Sequence, residues 1–234
     1  MEKKLRDKYI GHKQVMNNLF AKNKKYLYLI TPPNLLTKQL SLKKFLIVLD
    51  KVLKTKKVKF LQLRLKNRKK NQILDSLKKI NIICKKYKTL FFVNDYADNK
   101  ILDFCDGVHL GQTDISKSKV KRIFKKKKFL GITCHNSNKF AERSAKYKPN
   151  YISFGSFFIS KTKKNKYYAT IHNINWFKKK FNLPCAAIGG IKIENCKKIL
   201  KTNCNLYAVC SGVWNFEKGP VVAVNLFNKI LNKN

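Results

Sequence analysis

The sequence predicts a (β/α)8 barrel, and three observations predict it. Eight short apolar runs alternate with eight segments of helical apolar spacing between residues 26 and 231. The alternation recurs at roughly 25 residues per unit, as expected of a strand–helix repeat. The residues just after the runs form an unusually polar set, and catalysis in such barrels sits at the C-terminal ends of the strands. A doubly wound open sheet is the competing architecture, but it usually stops at about five to seven strands.

In chain order, residues 1–24 are polar and lysine-rich with few core candidates. They read as a leading helix or loose arm ahead of a barrel domain spanning 25–234. The first strand, 26–31, is β-rich and is stopped by Pro32 and Pro33. Leu42, Phe45, Leu46, Leu49, Val52 and Leu53 repeat at helical spacing and predict a helix over 40–53. The second strand is placed at 60–65 and its helix at 73–84. The third strand takes 90–93 with a short helix at 99–104, and the fourth 107–110 with a helix at 117–124. The fifth, 129–133, is followed by a helix at 138–147. The sixth, 151–154, opens into a long loop before a helix at 174–180. The seventh, 184–188, ends at Gly189 and Gly190 and precedes a helix at 193–200. The eighth, 206–210, leads to a closing helix over 221–231.

Composition narrows the function. With 44% hydrophobic residues in 234, the chain has material for a full core. No apolar run approaches the ~18 residues needed to span a membrane, and the first twenty residues lack a signal-peptide pattern, so a cytoplasmic location is expected. Seven cysteines show no C-x-x-C pair or zinc spacing, as suits a reducing compartment. The formal net charge of +41 is a footprint of nucleic-acid binding. Yet nearly all of it is lysine: only Arg6, Arg64, Arg68, Arg122 and Arg143 carry the planar fork that base and phosphate recognition favours. The lysines run along every predicted helix, a pattern that biased codon usage also produces, so nucleic acid is not the expected main partner. The charge would still attract small anionic substrates.

Against that excess the acids are informative. Five of the twelve, Asp95, Asp98, Asp103, Asp106 and Asp114, fall within twenty residues. Asp98, Asp103 and Asp106 read as helix caps or surface partners for lysine. Asp95 and Asp114 each follow a strand, so parallel strands bring both carboxylates to one end of the sheet. Oxygen donors there suit Mg²⁺, which usually binds one or two carboxylates plus substrate phosphates. Gln62, Arg64 and Lys66 alternate and share a face. Asn94, His109, Gln112, Thr133 and His135 complete the polar set, with a histidine near a strand end more often a satisfied rim residue than a catalyst. Gly189–Gly190 and Ser211–Gly212 stand where barrels place a phosphate against backbone N–H groups, although such glycines also serve as simple tight turns. Arg64 and Lys66 beside a metal-binding pair suit a pyrophosphate.

The ordered set QLRLK (62–66), VND (93–95), DGVHLGQTD (106–114), GITCHN (131–136), SKTK (160–163), AIGGI (187–191) and VCSGV (209–213) resembles the thiamine phosphate synthase family. That family condenses 4-amino-2-methyl-5-hydroxymethylpyrimidine diphosphate with a thiazole phosphate, releasing pyrophosphate. The resemblance implies that Gln62 contacts the aminopyrimidine and that Arg64, Lys66, Asn94 and Lys163 hold the pyrophosphate. It implies Mg²⁺ on Asp95 and Asp114, and Thr133 where the family usually has serine beside the reacting centre. Ser160, Thr162, Gly190 and Ser211 would grip the thiazole phosphate. The loop Ile159-Ser160-Lys161-Thr162-Lys163 departs from the family's proline-threonine-x-threonine-lysine, and Tyr96 stands where an arginine often follows the Asn-Asp pair. The sister thiazole tautomerase shares the fold but has no pyrophosphate to hold, so Gln62, Arg64, Lys66, Asp95 and Asp114 favour the synthase, while His135 keeps the tautomerase in view. A basic nucleic-acid-binding protein on a degenerate barrel is the alternative from another class. A homo-oligomer is compatible with either.

Overall fold

The computed structural model describes residues 19–20, 24–159 and 167–232. Eight parallel strands close into a barrel in chain order, with β1 pairing both β2 and β8. They are β1 Tyr26–Ile30, β2 Val58–Leu63, β3 Leu90–Asn94, β4 Gly107–Leu110, β5 Phe129–Thr133, β6 Tyr151–Gly155, β7 Cys185–Ile188 and β8 Leu206–Val209. The helices are α1 Leu42–Lys54, α2 Lys70–Lys86, α3 Asn99–Leu102, α4 Lys117–Lys125, α5 Asn138–Ala145, α6 Ile171–Phe181, α7 Ile193–Cys196, α8 Ser211–Trp214 and α9 Pro220–Leu231.

Local chemistry sets several boundaries. Ser41, Ser116 and Ser137 cap α1, α4 and α5, each hydroxyl accepting a backbone N–H of the first turn. Pro220 opens α9 at its first turn, where its missing N–H costs nothing. Strand β2 begins at Val58 rather than 60 and ends at Leu63, so Arg64 and Lys66 lie in the loop beyond it. The charge of Lys59 hides this start, but a lysine stem packs along a strand while its head reaches water. The helix expected over 193–200 is an α-turn followed by a 3-10 turn, Lys197–Ile199. No periodicity announces α8, because four residues are too few to show one.

Burial divides in two. Between sheet and helices lies the larger apolar layer, with Leu49, Leu77, Ile123, Phe177 and Phe227 from five helices fully covered. Inside the barrel, Tyr28, Phe60, Phe92, Phe129 and Tyr151 form an aromatic plug. Ring centroids lie 5.8 Å apart for Tyr28–Phe60, 5.7 Å for Tyr28–Phe92 and 5.8 Å for Phe92–Tyr151. Such pairs contribute about 0.5–1.5 kcal/mol each beyond burial. Glycines make room for these rings. A Cβ on Gly107 would lie 2.4 Å from the Phe92 ring, and one on Gly131 would lie 2.2 Å from the Tyr151 ring.

The described end of the leading segment extends this plug. Phe20 stacks on Phe60 at 6.0 Å and meets Tyr26 edge-on, while the Tyr26 hydroxyl donates to the Leu19 carbonyl at 2.8 Å. Phe20 is thus a core contributor that the lysine-rich composition of residues 1–24 conceals; residues 1–18 and 21–23 lie outside the described residues. All seven cysteines are free, six of them buried, in the manner of small hydrophobes. No helix among the described residues is long and apolar enough to cross a membrane.

Gly131→Ala is expected to lower stability by about 1–3 kcal/mol, because the added methyl must displace a fully buried, doubly hydrogen-bonded tyrosine. Urea denaturation measures this; an unchanged midpoint would mean that the Tyr151 ring yields freely.

Candidate active site

All eight strands deliver a residue to a cavity of about 440 Å³ at the C-terminal mouth of the barrel, from Ile30 on β1 to Ala208 on β8. Its floor is a chain of hydrogen bonds laid over the aromatic plug. Gln62 Nε2 donates to the Tyr28 hydroxyl at 2.9 Å, and the Tyr28 and Tyr151 hydroxyls are 2.9 Å apart. Tyr151 meets His109 Nδ1 at 2.9 Å, and His109 Nε2 meets Thr133 Oγ1 at 2.7 Å. Ser153 Oγ lies 3.4 Å from the same Thr133 oxygen.

With Gln62 donating at one end, the chain acquires a direction. Tyr28 donates to Tyr151, Tyr151 to Nδ1, and Nε2–H to Thr133. Burial, aided by the charge of Arg64, pushes His109 down to about 4, so the imidazole is neutral and carries one proton to place. Thr133 Oγ1 accepts from below, which leaves its own proton for the cavity.

One wall carries the acids. Asp95 adopts a left-handed backbone, φ 68°, with its N–H pinned to the His109 carbonyl at 2.9 Å. Its carboxylate accepts the Gly111 N–H at 3.3 Å and the Asn94 side-chain amide. Asp114 arrives from the loop after β4, its N–H bonded to the Gly111 carbonyl at 3.1 Å. Gly111 lets the two converge: a Cβ there would lie 2.7 Å from Asp114 Oδ2 and 3.9 Å from Asp95 Oδ1. Burial first, and the facing Asp114 charge second, raise the Asp95 carboxyl to about 6. Such a pair lacks a positive charge between its members. Among the described residues no cluster of three or more His, Cys, Asp or Glu could hold a metal. Two converging carboxylates therefore fit a hard cation that keeps water or substrate oxygens in its other positions.

Arg64 and Lys66 line the same wall. The Arg64 N–H donates to Thr31 Oγ1 at 3.0 Å, tying the loop after β2 to the end of β1. Gln112 fastens the next segment, donating to the Thr133 carbonyl at 2.5 Å and to Ser144 Oγ at 3.2 Å.

Four strands round the ring, Gly189 (φ 100°) and Gly190 (φ 64°) turn the chain after β7. They admit the loop after β6 so closely that a Cβ on Gly189 would lie 2.0 Å from Ser156 Oγ, and one on Gly190 would lie 2.5 Å from the Ile159 carbonyl. Asn195 holds the turn through its amide on the Gly190 carbonyl at 2.9 Å. Ser211 starts α8 beside it, where the first N–H groups of a helix have no partner within the helix.

Gln62, Arg64, Lys66, Asn94, Asp95, Asp114, Thr133, Gly189, Gly190 and Ser211 thus share one cavity. Gly212 does not line it. It is buried, and a Cβ there would lie 2.3 Å from the Ile191 carbonyl, so this glycine serves close packing of α8 against the β7 turn. Ser160, Thr162 and Lys163 lie outside the described residues. Sequence reasoning passes over the tyrosines of the floor and gives the strand-end residues Thr31 and Gln112 no role as clamps. Tyr28 precedes the cavity-lining Ile30 by two positions and so shares its face, a period-2 signal that could have found it.

Comparison with known proteins identifies the family. The model of the family described as thiamine monophosphate synthase matches residues 27–213. The thiamine-phosphate synthase of Pelagibacter ubique is 39% identical over 199 residues, which cover 84% of this chain and 92% of that protein. The thiamine-phosphate synthase of Rhodospirillum centenum is 33% identical over 205 residues, covering 88% and 97%. Among solved structures, thiamine phosphate pyrophosphorylase from Pyrococcus furiosus superposes with a TM-score of 0.72 at 25% identity, covering 89% of this chain and 96% of that one. The chain belongs to the thiamine monophosphate synthase family.

Proposed function

We propose that this chain is a transferase that condenses 4-amino-2-methyl-5-hydroxymethylpyrimidine diphosphate with a thiazole phosphate, giving thiamine phosphate and pyrophosphate. The observation that carries the reading is one cavity with two anion-binding walls. Arg64, Lys66 and Asn94 stand with the two carboxylates on the β2–β4 side, and Gly189, Gly190 and Ser211 on the β7–β8 side. A substrate with a diphosphate and a second with a monophosphate would each find a wall, with their organic ends between them.

Gln62 reads the aminopyrimidine at the floor, where its amide is already held by Tyr28. Arg64, Lys66 and Asn94 take up charge as the carbon–oxygen bond to the diphosphate breaks, which is where stabilisation counts most. Asp95 and Asp114 would hold Mg²⁺, which would supply positive charge for the same departing oxygens. Thr133 directs its hydroxyl at the reacting centre. Ser160, Thr162 and Lys163 join the site on the strength of the resemblance. The aromatic plug beneath excludes water from the electron-poor carbon. No protein nucleophile is needed, and among the described residues Cys210, the thiol at the cavity, is held protonated by burial, which pushes it up to about 11. The assembly of cations and acids favours condensation over thiazole isomerisation, which has no diphosphate to hold.

The purified protein should release pyrophosphate only when given both substrates and Mg²⁺, with thiamine phosphate appearing in equal amount. Silence from a folded protein would overturn the reading. Asp95→Asn, which tolerates the left-handed backbone, and Asp114→Asn should each cut turnover about a hundredfold or more with the fold intact. Rates near wild type in both would sink the metal assignment.

A pH effect follows from the raised Asp95 carboxyl. Its folded value, about 6, exceeds the ordinary 3.8, so between those values the folded state binds a proton that the unfolded chain does not. Metal-free protein should therefore gain stability from this site as pH falls through 6 towards 4. Denaturation midpoints of wild type and Asp95→Asn across that window test it, since the substitution should remove the gain.

A further inference from the structure

The carboxylate pair has a second side. Asp95, Asp114 and Lys66 line the mouth cavity and also border a separate cleft of about 510 Å³. This cleft is lined by the loops after β2, β3 and β4 and by the outer helix α4, which contributes Lys119 and Arg122. The wall between the two spaces is therefore made by the side chains proposed to meet the diphosphate.

Three cations and three acids line the cleft, so its formal charge balances, and a divalent cation on the carboxylate pair would turn it positive. Lys66, Lys119 and Arg122 face it, and none makes an ion pair among the described residues. Of its acids, Asp98 is engaged by Lys70 at 3.5 Å, and the other two are the shared carboxylates. Arg122 is fixed at the rim by one bond, Nη1 to the Ala97 carbonyl at 3.3 Å, which leaves the rest of its fork for a ligand. Lysine is so abundant here that its presence alone signals little. Arginine is scarce, five in 234 residues, yet Arg64 stands in the mouth cavity and Arg122 in the cleft behind the same two carboxylates.

We propose that this side cleft is a second subsite for inorganic pyrophosphate, reached from the first by passing the carboxylate wall. It receives the released anion laterally, so that departure does not require the organic product to leave the mouth first. The origin of the anion rests on the synthase reading; the binding of the anion does not.

Calorimetric titration with pyrophosphate and Mg²⁺ tests it on the full chain. Wild type should bind two equivalents. Lys119→Ala/Arg122→Ala should bind one, with the remaining constant and the single-turnover rate of thiamine phosphate formation both within about twofold of wild type. Lys119→Gln/Arg122→Gln should lose the same equivalent, and serves if the alanine pair folds poorly. Arg64→Ala should weaken the other equivalent instead. One equivalent in wild type, or two unchanged equivalents in the double variants, overturns the proposal. So does inorganic phosphate binding as tightly as pyrophosphate, which would mark a general anion patch. If two equivalents bind but no thiamine phosphate forms, the synthase reading fails and the cleft stands; if thiamine phosphate forms and one equivalent binds, the reverse holds.

Discussion

The mouth of this barrel depends on the need to satisfy two buried phenols. Tyr28 and Tyr151 sit inside the closed sheet with almost no exposure, and each hydroxyl would cost about 1–3 kcal/mol if left unpaired. They pair with each other, and that pairing obliges Gln62 on one side and His109 on the other to complete the chain. The imidazole, held neutral, then turns its second nitrogen to Thr133. A packing decision near mid-barrel thus determines which atoms point upward into the cavity. Gly131 belongs to the same constraint: a glycine in a strand interior weakens the strand, and here it leaves the space that the Tyr151 ring fills.

The carboxylate wall obeys a different logic. Two acids brought together and partly buried oppose folding, and a left-handed aspartate adds local strain. The surroundings offset part of this through the Gly111 N–H, the Asn94 amide and the charge of Arg64, and the remaining deficit is what a divalent cation would supply. Stability and function pull against each other at this point, while the tyrosine floor serves both.

The fold was legible because each buried strand is a short apolar run and each of the longer helices shows its period. Eight strands and their order could be counted from sequence, and the two-residue shift in β2 arose from a single lysine at an outward position. Within the site, residues lying just past strand ends were legible, since a parallel barrel gathers those ends whatever the loops do. What remained hidden was of three kinds. Tyr28 and Tyr151 look like ordinary strand aromatics until closure brings β1 and β6 within hydrogen-bond reach across the interior. Gly212 reads as a phosphate-site glycine, but its lack of a side chain serves the Ile191 carbonyl instead. Arg122 is one basic residue in a helix of lysines, and only the tertiary placement of α4 beside the β3 loop distinguishes it.

That last case bears on how the net charge of +41 should be read. Lysines spread over most of the helices raise the potential around the whole molecule, which speeds encounter with anions but directs them nowhere in particular. Direction requires local contrast. The acids provide it by clustering between 95 and 114, because two of them fix where a hard cation, and hence a phosphate oxygen, would sit. The arginines provide it through geometry, since a planar fork holds an anion in one orientation where an ammonium holds it in many. In a chain saturated with lysine, the scarce charged residues carry the positional information: Arg64 lines the barrel mouth, Arg122 the side cleft, and Asp95 and Asp114 both.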